Sequence, residues 1–165
     1  MQYKIITSYN SIEIDQDPSR NQIGELPEWD LTDLYTGAST KEIEKDLNEV
    51  KKLTGSFASK YENKLSTLSG SEMLKCIQDK EKITGLMGRL ISYASLRYYQ
   101  MTTDTSRAKL LSDIEEKTTE FSSKMIFFSL EFNTLEETHL ENLLAKNSKL
   151  ARYKTAFSRM RAMKP

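Results

Sequence analysis

Few residues in this chain are of a type that does chemistry at neutral pH, and their surroundings say what they can do. The single histidine, His139, lies in Glu136-Glu137-Thr138-His139-Leu140-Glu141. A helical zinc peptidase site needs H-E-x-x-H, so that imidazoles one turn apart reach one ion, plus a further ligand. The second histidine does not exist here, so His139 reads as a surface residue flanked by solvated acids. The single cysteine, Cys76, has no motif joining it to that histidine, and a nucleophile needs a base. It reads as a small core or boundary residue. Glu115 with Glu116, and Glu136 with Glu137, are adjacent in sequence and diverge on a helix. They suit a solvent face and not an acid/base pair.

Two further groups carry weaker signals. Gly85-Leu86-Met87-Gly88 matches a short G-x-x-G string, but phosphate-gripping loops expose backbone N–H groups at a turn. This copy lies inside a helical stripe between Ile83 and Leu90, which suggests close helix approach or a slight bend. Tyr93, Tyr98 and Tyr99, with Arg97 among them, offer aromatic faces for stacking bases or lining a peptide channel. Tyr98 continues a core stripe; for Tyr93 and Tyr99, packing and a channel lining stay equally open.

These residues depend on helices. In 165 residues, 38% apolar and 29% charged, the composition is too apolar for wholesale disorder and too charged for a membrane protein. No run approaches the ~20 apolar residues of a spanning helix, and no secretory signal is visible at the start. With one cysteine, a cytoplasmic protein without membrane or internal disulfide is expected. Residues 1–25 read as a flexible or weakly structured arm, in which Lys4 to Ile14 fits a short strand equally well. Leu26 to Tyr35 (LPEWDLTDLY) reads as an irregular strap docked by Trp29, Leu31, Leu34 and Tyr35, with Asp30 and Thr32 capping a turn.

The apolar spacing predicts an all-α, elongated bundle built on a long antiparallel helix hairpin. Ser39 with Glu42 opens helix one, whose stripe is Ile43, Leu47, Val50, Leu53, Phe57 and Tyr61. Ser69 with Glu72 opens helix two, running to Met101 over ~45 Å. Thr102, Thr103 and Asp104 end it and cap the next. Helix three shows Leu111, Ile114, Thr118, Phe121, Met125, Phe128 and Phe132 in unbroken steps of three and four, a seam for packing back along helix two. Thr134 with Glu137 opens a short helix that Asn147 stops, and Leu150, Tyr153, Phe157 and Met160 mark a last one.

Formal charge is zero, yet unevenly placed. Residues 1–35 hold seven acids against Lys4 and Arg20, and residues 146–165 hold seven bases and no acid. The neutral whole makes nucleic acid an improbable partner; a solvated face, or one meeting acidic surface elsewhere in a longer protein, fits better. The chain also ends straight after an apolar stripe, as a polypeptide that continues would.

Four stretches, in order, resemble one family. Leu26–Tyr35 is similar to the opening motif of oligoendopeptidase F-like zinc peptidases. Arg89–Asp104 (RLISYASLRYYQMTTD) is similar to their arginine-leucine, serine-tyrosine-alanine helix, and Phe127–Glu137 (FFSLEFNTLEE) and Leu150–Pro165 (LARYKTAFSRMRAMKP) look like the next two landmarks. The resemblance covers 26–165 and implies the N-terminal helical domain only. It implies a wall of a channel that admits short peptides, with zinc held by H-E-x-x-H in a catalytic portion this chain lacks. No catalytic or metal ligand carries over, no cofactor belongs to this chain, and Tyr93 and Tyr99 are the candidate peptide contacts. The partner implied is that catalytic portion, with self-association through exposed apolar surface a second expectation. The alternative is a free-standing helical interaction module.

Overall fold

The computed structural model describes residues 29–36 and 40–162; the expected arm of residues 1–25 and the Ser39 cap lie outside them. Among the described residues the chain is all-α. The helices are α1 (Thr40–Tyr61), α2 (Gly70–Gln100), α3 (Thr105–Ser123), α4 (Ile126–Thr134), α5 (Glu137–Lys146), α6 (Ser148–Ala151) and α7 (Lys154–Ala162).

α2 is the spine. Its 31 residues extend about 46 Å at the standard rise. Both expected start signals work: Ser69 Oγ accepts from Glu72 N while the Glu72 carboxylate accepts from Ser69 N. Asp104 Oδ1 accepts from the backbone of Ser106 and Arg107 at the start of α3. The short connections fold α1 and α3 back along α2. Thus α1 pairs antiparallel with α2 through Asp46–Arg89 near one end and Tyr61–Asp79 near the other. α3 begins beside the last turn of α2, where Arg107 Nη1 donates to Arg97 O at 3.0 Å. The predicted stripes supply the core, with Ile43, Val50, Phe57, Met73, Ile83, Leu90, Ile114 and Phe121 all buried.

Three expectations about the helices are corrected. Helix three does not run through Phe132. It breaks at Lys124–Met125, where Met125 N bonds Ser122 O three residues back. From Met125 to Phe132 the apolar residues Ile126, Phe127 and Leu130 lie off the seam, and one seam cannot bury them all. The break re-aims the chain so that Phe127, Phe128 and Phe132 are buried together. Thr134 is not a cap: it ends α4, its hydroxyl donates to Glu131 O, and α5 starts after an extended Glu136 with no side-chain cap. The last stripe is two helices, because Asn147 both ends α5 and caps α6 through Lys149 N and Leu150 N. A turn at Arg152 and Tyr153 then precedes α7.

The strap is docked by Tyr35, not by Trp29, which is 53% exposed. Trp29 holds on through its backbone carbonyl, which accepts from Gln100 Nε2 at 3.0 Å. Asp30 caps the turn as expected, through Thr32 N.

Candidate functional site

The best-developed polar cluster lies where strap, α1 and α2 meet. Tyr35 is buried, and its hydroxyl donates to Asp46 Oδ2 at 2.7 Å. Burial raises the Tyr35 phenol above its ordinary value, and the Asp46 carboxylate raises it further. Arg89 forms an ion pair with the same carboxylate and lays its guanidinium 5.0 Å from the Tyr35 ring centre. Tyr93 meets that ring edge-on at 5.0 Å. A buried carboxylate is tolerated only when paired and hydrogen-bonded, and Asp46 has both partners.

Sequence reasoning passed over Asp46, though a signal exists. It stands on the apolar stripe of α1, three residues after Ile43 and four before Val50. An acid on a buried stripe calls for a cation opposite, and Arg89 supplies it. Two more polar anchors were missed. Asp79 accepts from Tyr61 and Lys75, each at 2.7 Å. Burial pushes the Asp79 carboxyl up, but those hydrogen bonds win and hold it below its ordinary value. Glu131 accepts from the backbone of Asn63 at 2.6 Å and of Leu65 at 3.2 Å, where the chain turns through Asn63 at φ 61. No local pattern announces Glu131, because its partners lie more than sixty residues away.

The two candidate tyrosines part company. Tyr93 is 1% exposed and serves as the wall on which Tyr35 rests, whereas Tyr99 is 62% exposed. Tyr99 shares the outer end of the hairpin with Trp29 and Met101, both exposed. Gly85 and Gly88 face open space, with nothing within 4 Å of an added Cβ, so they make no close helix approach.

His139 is less exposed than its acidic neighbours suggest. Its Nε2 is shielded and unpartnered within the protein, and it lines a cavity of about 320 Å³ with Glu131 and Glu136. Cys76 is buried, and burial pushes its thiol up to about 12, which leaves it protonated and unreactive. Among the described residues no three His, Cys, Asp or Glu side chains converge on a metal position. Nor is any helix among the described residues long and apolar enough to cross a membrane.

The four stretches that carry the resemblance meet in pairs. Trp29–Tyr35, the described part of the first, packs on Arg89–Asp104 through Tyr35, Arg89, Tyr93 and the Trp29–Gln100 hydrogen bond. Phe127–Glu137 packs on Leu150–Ala162, the described part of the last, through the Phe132 and Phe157 rings, 4.8 Å apart, and through Arg161, which reaches Glu137 and the carbonyl of Leu135. Compared with protein-family models, curated proteins and solved structures, the chain matches none.

Proposed function

We propose that this chain is the N-terminal helical part of an oligoendopeptidase F-like zinc metallopeptidase, forming one wall of a channel that takes short peptides. The zinc-bearing catalytic portion lies outside these 165 residues. The observation that carries the reading is the pairwise packing just described. Segments that carry the resemblance are neighbours in space, the strap with the end of α2 and α4 with α7, as the landmarks of one scaffold would be. Exposed apolar surface adds support. Ile126 and Leu130 stand exposed on one side of α4 while Phe127, Phe128 and Phe132 are buried on the other. Large apolar side chains exposed side by side are the kind of surface a partner covers. On this reading the chain performs no hydrolysis. It supplies shape, and Tyr99 is the aromatic side chain placed to touch a peptide or the catalytic portion.

The reading frame beyond the codon for Pro165, or a frame beside it, tests this. An encoded H-E-x-x-H polypeptide that copurifies with this chain and cleaves a quenched short peptide is the expected result. If no such frame exists, the reading falls and a free-standing interaction module, covering the same α4 surface with a different partner, takes its place.

A further inference from the structure

A cavity of about 330 Å³ lies beneath the strap, walled by the turn at residues 32–36 and by α1 and α2. Five of its lining residues carry charge: Asp33, Glu42, Lys45, Asp46 and Arg89. We propose that this cavity binds a small zwitterion, a free amino acid or a short peptide with both termini unmodified.

The argument rests on which of those charges are already committed. Asp46 commits Oδ2 to Tyr35 and to Arg89, whose guanidinium offsets its charge. Glu42 spends Oε2 on the backbone and hydroxyl of Thr36. Asp33 and Lys45 form no ion pair among the described residues. Arg89 Nε is shielded from solvent and finds no acceptor in the protein. One free carboxylate, one free ammonium and one sheltered donor thus border the same space. The lining thus presents both signs, three carboxylates and two cations, and a simple anion drawn to Lys45 would face all three carboxylates. A ligand carrying both charges can set its ammonium against Asp33 and its carboxylate against Lys45. The volume stands at the lower end of small-molecule sites, about 300–1,000 Å³, which suits one or two amino-acid residues. Both free charges sit at the rim in contact with water, so modest affinity is expected.

The inference concerns residues of this chain alone and stands whether or not a catalytic portion exists. Trp29, the chain's one tryptophan, belongs to the same strap and reports on it by fluorescence. The full chain is titrated with alanyl-alanine, its N-acetyl form and its C-terminal amide, with calorimetry alongside. The expected result is saturable binding of the free dipeptide with Kd on the order of 1 mM, weakened about tenfold by either cap. Asp33→Asn and Lys45→Met should each weaken it about fivefold with the melting temperature unchanged, since both groups are exposed and unpaired. Capped forms binding as tightly as the free dipeptide would overturn the proposal. So would binding indifferent to both substitutions, or no saturation by about 20 mM.

Discussion

The two ends of the α1–α2 pair are fastened by different physics. At one end strap and helices are joined by a buried carboxylate, a guanidinium and a phenol, Asp46, Arg89 and Tyr35. At the other, beside the single Tyr61–Asp79 hydrogen bond, Phe57 lies 5.6 Å from Phe127 and 6.2 Å from Phe128, and the aromatic chain continues through Phe132 to Phe157. The aromatic end gains from area removed from water and is indifferent to direction. The polar end gains little net energy but fixes one geometry, because each of its groups is costly to leave unpaired. A strap without regular secondary structure needs the second kind of fastening; short helices meeting at odd angles are served by the first.

That contrast can be broken by substitution. Phe132→Ala should be the most damaging change, losing about 3–5 kcal/mol in denaturant unfolding, since a fully buried ring leaves a cavity. A loss below about 1 kcal/mol would mean the aromatic end is loosely packed. Asp46→Ala should lose about 1–3 kcal/mol by the same measurement, because it orphans the Tyr35 hydroxyl and unpairs an Arg89 still partly wetted. Combined, the two should add within about 0.5 kcal/mol, as distant sites do; strong coupling would show that the ends are not independent. Gly88→Ala, on the helix between them, should gain about 0.5–1 kcal/mol, because the site is exposed and an added methyl meets nothing.

The smallest effect is a pH dependence. Asp79 is held below its ordinary value of 3.8, so its contribution is complete above that pH and disappears as pH falls through its lower folded value. Asp79→Asn should therefore flatten the acid limb of a stability–pH curve below about pH 4 while barely changing its shape near neutrality. An unchanged acid limb would remove Asp79 from the account.

Long helices with one apolar face were legible in the sequence, because a single period governs them. The stripes of α1 and α2, the Ser69–Glu72 box and the Asp104 cap could all be read from spacing. The α3–α4 break was hidden because its seam residues keep perfect spacing; what breaks the helix is Phe127, an apolar residue off the seam that must also be buried. Thr134 and Glu137 had the right types and spacing for a cap, but the Thr134 hydroxyl bonds back to Glu131 O within α4 and Glu137 pairs with Arg161. In the strap, size suggested that Trp29 would be buried, yet only Tyr35 has a hydroxyl placed to satisfy Asp46. Of the candidate tyrosines, Tyr93 is absorbed by packing and Tyr99 remains available, a division that depends on which side of α2 the strap covers.

The proposal that this chain is a wall and not a catalyst is tested most directly by measuring bound zinc together with hydrolysis of a quenched peptide by the purified chain. The account predicts no stoichiometric zinc after gel filtration and no chelator-sensitive turnover. One equivalent of retained zinc accompanied by turnover that a chelator abolishes would contradict it.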